Sequence, residues 1–195
     1  MTKTLATIAV AAMISTSALA EDYDNTAVKM TAVTDNYSVS IKSPKTGATE
    51  FSASTGVGLV DVTATWKRNG DVDDYAIKVG KEINVDTTPL YAGADAEFSF
   101  GDSYATDDRT LIATPYVGVS TTVDKLTPFA ELGYSFKSTQ NDLVDIARND
   151  SYVKVGASYA IDDRTSLGVS VSETRDVDFK NPGDRQAEVG LTFKF

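Results

Sequence analysis

Apolar and polar residues alternate along most of this chain, and the alternation continues to the last residue. In the final segment, Glu188–Phe195, apolar side chains occupy every second position. The apolar positions are Val189, Leu191, Phe193 and Phe195, and the positions between them are Glu188, Gly190, Thr192 and Lys194. Because successive side chains of a strand point to opposite faces, this segment predicts a β-strand with one apolar and one polar face.

Seven more segments show the same alternation, and polar, turn-prone residues separate them. They cover residues 60–66, 75–79, 92–100, 111–119, 130–136, 153–159 and 167–171. With the final segment they repeat about every seventeen residues, connections included, which is typical of an antiparallel all-β chain. The sequence therefore predicts eight strands between Val57 and Phe195.

The part of the chain from residue 21 to residue 56 is the hardest to assign. Residues 37–41 and 51–53 alternate well, whereas Val28, Met30 and Ala32 alternate in the other parity. At seventeen residues per strand this part would hold two strands, which gives ten in all. Bacterial barrels of a single chain have even strand numbers. We therefore predict ten strands, with eight strands and a loose N-terminal extension as the alternative.

The faces opposite the apolar stripes carry glycines and charged residues. The glycines are Gly80, Gly93, Gly118, Gly133, Gly156, Gly168 and Gly190. The candidate charges are Lys78, Glu97, Glu131, Lys154, Glu188 and Lys194. A soluble ligand-binding barrel has the reverse polarity, so the pattern predicts a closed antiparallel transmembrane β-barrel with the polar face inside. Repeated inward glycines indicate a narrow, strongly coiled barrel.

A narrow lumen restricts how its charges are accommodated. A charge there has to be paired or hydrated, because isolated burial is costly. We therefore expect Lys–Glu pairs to cross the lumen, with Glu131 and Lys154 on adjacent strands as the first candidates. Such a lumen would be plugged rather than an open aqueous pore.

Aromatic residues lie near the ends of the apolar stripes. They are Trp66, Tyr75, Phe98, Phe100, Tyr134, Phe136, Tyr159 and Phe193, with Phe195 at the terminus. Rings at the lipid–water boundary form the aromatic girdle of a membrane barrel. Pro115 interrupts one stripe, and we expect a bulge or gap in the hydrogen-bond ladder there.

The first twenty residues predict a cleaved signal peptide. Lys3 precedes an apolar run from Leu5 to Ile14, and Ala18 and Ala20 form an A-x-A cleavage site. The apolar run is too short to span a bilayer as a helix. The sequence therefore predicts a signal peptide over residues 1–20 and a single barrel domain over residues 21–195.

Charge and composition exclude several functions. The formal net charge is −10, and removal of Lys3 would make it −11, which argues against nucleic acid as a partner. The chain has no histidine and no cysteine, so the usual general base, the commonest metal ligand and thiol chemistry are absent. Adjacent carboxylates such as Asp73-Asp74 and Asp162-Asp163 are typical of turns. We predict no enzyme, no metal site and no cofactor.

The two termini together resemble those of a known group of proteins. The segment Glu188–Phe195 resembles the C-terminal signal by which bacterial outer-membrane barrels are recognised for insertion, carried here by Glu188, Gly190, Phe193 and Phe195. With Ala18-Leu19-Ala20, the chain resembles the small outer-membrane β-barrels of Gram-negative bacteria, the OmpA/OmpX-like or short "porin family" group. The resemblance implies a monomer in the cell outer membrane. Its partners would be membrane lipid, lipopolysaccharide, the assembly machinery and periplasmic chaperones.

Within that group we expect a structural barrel, or a weakly permeable one that passes only small solutes in the manner of a porin. A surface receptor or adhesin is one alternative, but the longest outer loop, Ser138 to Asp150, contains no aromatic anchor. A soluble periplasmic barrel of the lipocalin kind is the other alternative.

Overall fold

A computed structural model describes residues 25–85, 87–101, 109–139, 149–176 and 182–195. These ranges contain eleven strands. They are β1 (Asn25–Val33), β2 (Tyr37–Pro44), β3 (Thr49–Val57), β4 (Val60–Asn69), β5 (Val72–Asn84), β6 (Leu90–Gly101), β7 (Thr110–Ser120), β8 (Leu126–Thr139), β9 (Asp150–Ala160), β10 (Thr165–Asp176) and β11 (Pro182–Lys194). The signal-peptide prediction, with Ala18 and Ala20, lies outside the described residues, as does most of the loop from residue 138 to residue 150.

The strands form one closed barrel in which each strand pairs antiparallel with the next along the chain. The first and last strands close it by pairing in parallel, from Asn25 opposite Gln186 to Val33 opposite Lys194. The Phe195 N–H then donates to the Val33 carbonyl over 3.0 Å. The strands from β1 to β11 therefore leave no unpaired sheet edge.

The predicted strand count is wrong, because the barrel has eleven strands rather than ten or eight. The eight strands predicted between Val57 and Phe195 are present as β4 to β11. The preceding part holds three strands of only 8 or 9 residues, joined by short connections. Each of these strands, with its connection, therefore uses fewer residues than the average spacing on which the prediction was based. An odd number of alternating strands leaves β1 and β11 pointing the same way, and a parallel ladder is only slightly less stable per residue.

The pairing register places the apolar stripes on the outside of the barrel and the polar faces inside. Outward side chains stay exposed, for example Ile77 at 47%, Val117 at 57% and Val155 at 48%. The outer wall beside the β1–β11 pair is the exception. Val189 and Leu191 share a face with the exposed Val169, yet they are only 1% and 4% exposed, which differs from the exposed position we expected.

The outward aromatic residues gather at two levels of the wall. Phe51, Trp66, Tyr75 and Phe100 are successive register partners across β3 to β6. Phe51 stacks on Trp66 at 5.1 Å between ring centroids, and Tyr75 stacks on Phe100 at 5.6 Å. Phe98, Tyr134 and Phe136 lie close to this level, whereas Tyr159, Phe193 and Phe195 lie towards the other end of the barrel.

The expected interruption at Pro115 is confirmed as a gap in the ladder without a bulge. Pairing between β7 and β8 stops after Ala113–Phe136 and resumes at Tyr116–Gly133 in the same register. The hydroxyls of Thr114 and Ser135 are hydrogen-bonded at 3.0 Å across the gap. Among the described residues, no helix is long and apolar enough to cross a membrane.

Candidate functional site in the barrel lumen

Four aromatic rings inside the barrel each lie against a glycine on the neighbouring strand. We call these the ring–glycine pairs: Tyr91–Gly118, Tyr116–Gly93, Phe129–Gly156 and Tyr152–Gly133. The two members of each pair are direct register partners, and a Cβ atom at any of the four glycines would overlap the opposing ring. The inward glycines of these strands therefore provide the space that the rings occupy.

The ring–glycine pairs fill one half of the lumen, on the side of β6 to β9. Tyr91 is buried, and its ring packs edge-on against that of Tyr116, with centroids 6.4 Å apart. A ring placed over glycine backbone covers atoms that glycine leaves bare, a packing device also used in designed sheets. The glycines predicted to face inward thus make this half narrow by admitting large side chains, as well as by letting the strands coil.

Glu131 lies at the centre of this filled half. Tyr152 donates to its Oε1 over 2.7 Å and Tyr91 donates to its Oε2 over 3.0 Å, so each carboxylate oxygen has a phenol partner. Lys154 is the direct register partner of Glu131, but the expected ion pair between them is not formed. Its Nζ instead lies 5.7 Å from the centroid of the Phe129 ring. The two phenols satisfy the carboxylate in place of the ammonium group.

The other predicted lumen charges on β5 and β6 are also inside the barrel. Lys78 forms an ion pair with Asp95 at 3.2 Å, although Glu97 is its direct register partner. The Asp95 carboxylate lies over Gly80, whose missing side chain leaves it room. Glu97 accepts a hydrogen bond from the Ser99 hydroxyl over 2.9 Å.

The remaining two predicted charges are on β11. Glu188 pairs with Lys42 at 3.4 Å, across β1. Lys194 is exposed at the end of the strand, where its backbone N–H donates to the Arg164 carbonyl over 2.7 Å. The six candidates therefore take part in several separate contacts rather than one network.

The other half of the lumen, on the side of β9 to β11 and β1 to β2, contains open space. Gly168 and Gly190 are register partners there, and a Cβ atom at either would meet nothing closer than 3.9 Å. A cavity of about 470 Å³ includes Lys42, Lys78, Glu131 and Glu188 in its lining. A second cavity, of about 200 Å³, includes Lys29, Lys154 and Glu188 in its lining. Both are lined mainly by polar side chains.

Sequence analysis missed the residues that shape the lumen most. Tyr91, Tyr116, Phe129 and Tyr152 occupy inward positions by parity, and each faces a glycine across the strand pair. The alternation along each strand shows from the sequence alone that these residues face inward. Which glycine each ring opposes depends on the register between strands, which the sequence does not show. Lys42, the partner of Glu188, was missed because it lies between residues 21 and 56, the part of the chain that was hardest to assign.

The chemistry available in the lumen consists of ion pairs, hydroxyls and phenol–carboxylate hydrogen bonds. In the described part of the chain, no three His, Cys, Asp or Glu residues are grouped so that they could hold a metal ion.

These observations define the class of protein as an all-β closed barrel of eleven strands with a polar, half-filled lumen and an apolar outer wall. A scan against protein-family models gave no match for the chain, and a search of curated proteins gave no significant match.

Proposed function

We propose that this chain is an integral outer-membrane β-barrel with a structural or weakly permeable role. The observation that carries the proposal is the polarity of the barrel: its outer wall is apolar and its interior is polar, the reverse of the arrangement in a soluble protein. Large apolar side chains are exposed around most of the wall, and the ion pairs Lys42–Glu188 and Lys78–Asp95 lie inside. Soluble monomers rarely expose apolar patches larger than a few hundred Å².

A lipid bilayer is the environment in which this inverted polarity is stable. Removing apolar surface from water stabilises the protein by roughly 25 cal/mol per Å². A closed barrel also pairs its backbone groups between strands, which is what a spanning structure needs in hydrocarbon. An odd strand number meets the same need when the first and last strands pair in parallel, and a mitochondrial membrane barrel has 19 strands. Trp66 fits the boundary, because its ring lies on the outer wall while its Nε1 donates to Asp73 over 2.9 Å.

The choice of the outer membrane rests on the two ends of the chain. Met1–Ala20 has the features of a secretory signal peptide, and the residues Glu188, Gly190, Phe193 and Phe195 match the insertion signal in pattern. Through that signal we expect contact with the assembly machinery and periplasmic chaperones. The mature barrel would meet membrane lipid and lipopolysaccharide.

Weak permeability follows from the half-filled lumen. The ring–glycine pairs block one side, and the open side contains cavities of about 470 and 200 Å³ lined by charges and hydroxyls. Water and small polar solutes fit such a space better than large ones do. We therefore expect a small conductance or none.

The two alternatives have less support. A lipocalin-like binder needs an apolar interior, and here the interior holds the ion pairs Lys42–Glu188 and Lys78–Asp95. An adhesin needs contact residues in its loops. The loops on which that role would depend lie largely outside the described residues, and the sequence from residue 138 to residue 150 offers no aromatic anchor.

Planar-bilayer recording of single variants tests this proposal. Tyr152→Ala removes a lumen ring and one of the two phenol donors to Glu131, so the conductance should rise above that of the wild type. Tyr75→Ala is the matched control, because it removes a ring from the outer wall and should leave the conductance unchanged. Tyr116→Ala provides a second lumen variant if Tyr152→Ala does not fold. Large, stable wild-type channels, or equal effects of Tyr152→Ala and Tyr75→Ala, would contradict the proposal.

A further inference from the structure

The position of Lys154 is set by the ring–glycine pairs. Both oxygens of Glu131, its register partner, accept hydrogen bonds from the phenol groups of Tyr91 and Tyr152. The ammonium group of Lys154 leans over the Phe129 ring instead, and that ring lies against Gly156. Within the described residues, Lys154 forms no ion pair. Its charge therefore has no carboxylate partner.

Lys29 on β1 is in the same situation for a different reason. Its register partner on β2 is Lys42, and like charges directly opposite each other repel. Lys42 pairs with Glu188 at 3.4 Å, which leaves Lys29 without a carboxylate among the described residues. Among the described residues, the barrel thus holds two inward lysines that no carboxylate neutralises.

Both lysines line the smaller cavity of about 200 Å³. Its lining also includes the hydroxyl-bearing residues Thr31, Ser158, Ser166, Ser170 and Thr192. Among the described residues, Glu188 is the only carboxylate in the lining, and it is already paired with Lys42. The described lining therefore combines two lysines with a set of hydroxyls, and its one acid is already neutralised.

We propose that this smaller cavity is a binding site for a small oxyanion of the phosphate or sulfate kind, held by Lys29 and Lys154. Charge-assisted hydrogen bonds from ammonium groups are among the stronger polar contacts, and the hydroxyls complete the coordination. An anion would also relieve the cost of two unpaired charges in a narrow lumen. The proposal deepens the proposed function and rests on it, since the lumen must be open to water.

Equilibrium dialysis of the detergent-solubilised full chain against radiolabelled inorganic phosphate, at fixed ionic strength, tests the site. The wild type should bind phosphate saturably. Lys29→Gln and Lys154→Gln should each weaken binding about tenfold, because each removes a hydrogen bond to a charged group. Lys81→Gln is the matched control, since Lys81 is an exposed lysine on the outer face of β5 and should have no effect. Circular dichroism confirms that each variant is folded.

The outcomes separate this site from the proposed function. Absence of saturable binding by the wild type, or an equal loss in Lys81→Gln, would overturn the site. A barrel that conducts ions but does not bind phosphate would overturn the site alone. A protein that binds phosphate through both lysines but never enters a bilayer would keep the site and overturn the membrane role.

Discussion

At the scale of single residues, the inward glycines differ in what stands opposite them. Gly133 faces the Tyr152 ring, whereas Gly168 lies between Gly190 and Ser158 with no side chain over it. The same residue type therefore does two things in one lumen. In the filled half it admits a ring, and in the open half it leaves space.

This difference predicts opposite effects of the same substitution. Gly133→Ala should destabilise the barrel by about 1–3 kcal/mol, the usual cost of overpacking, because the new methyl overlaps Tyr152. Gly168→Ala is the control and should be neutral or slightly stabilising, since nothing lies within 3.9 Å. Urea unfolding in detergent micelles measures both. Equal stabilities of the two variants would contradict the assigned ring position.

The sequence predicted which residues face inward, but not which of them meet. Parity placed Lys78, Glu131 and Lys154 inside because a strand alternates with a period of two. The partners depend on register and on diagonal contacts across twisted strands, so Lys78 reaches Asp95 rather than Glu97. Glu131 was expected to need a lysine, whereas two tyrosines provide its hydrogen bonds.

At the scale of strands, the error in the predicted strand number comes from the N-terminal part of the chain. The strand β1 carries its apolar residues in the opposite parity to β2, and short connections join β1 to β3. An average spacing could not resolve three short strands from two long ones. The eight later strands follow a regular spacing and were predictable for that reason.

Parallel closure by β1 can be tested with paired cysteines, because the chain has none of its own. Met30 is the register partner of Leu191 on β11 and of Ile41 on β2. The double variant Met30→Cys/Leu191→Cys should form an intramolecular disulfide under mild oxidation. Ile41→Cys/Leu191→Cys is the matched control, since two strand spacings of about 9.6 Å are too far for a bond.

Electrophoretic mobility with and without reductant reports the cross-link. A disulfide in the Ile41–Leu191 pair, with none in the Met30–Leu191 pair, would mean that β2 rather than β1 closes the barrel. That result would restore the ten-strand arrangement.

At the scale of the whole molecule, an odd strand number puts the start of β1 and the end of β11 at opposite ends of the barrel. Asn25 pairs with Gln186 near the start of β11, whereas Phe195 follows its end. In an even-stranded barrel both termini would lie on the same side. In a barrel that spans a membrane, the start of β1 and the end of β11 would therefore lie on opposite sides of that membrane.

We expect an epitope tag inserted immediately before Asn25 to be accessible on intact cells. A tag in the β7–β8 connection, at residues 122–125, lies at the other end of the barrel and should become accessible only after the cells are permeabilised. Antibody binding to intact and permeabilised cells compares the two. Access to both tags from the same side would contradict the eleven-stranded topology in the membrane.

The polarity of the whole barrel was predictable because it does not depend on the strand count. Alternation fixes which side chains share a face, and the charges and glycines identify the inner one. The burial of Val189 and Leu191 was not predictable in the same way, since alternation assigns a face and says nothing about what covers it.

If the outer wall lies in lipid, the fluorescence of Trp66 reports it directly. This residue is the only tryptophan, and it belongs to the aromatic level on the outside of β3 to β6. In vesicles of brominated lipids, its fluorescence should be quenched most strongly by bromines near the interface and less by those near the bilayer centre. Aqueous iodide should have little effect. If the protein stays monomeric in water without detergent, and brominated vesicles leave Trp66 unquenched, the wall does not lie in lipid and the account is wrong.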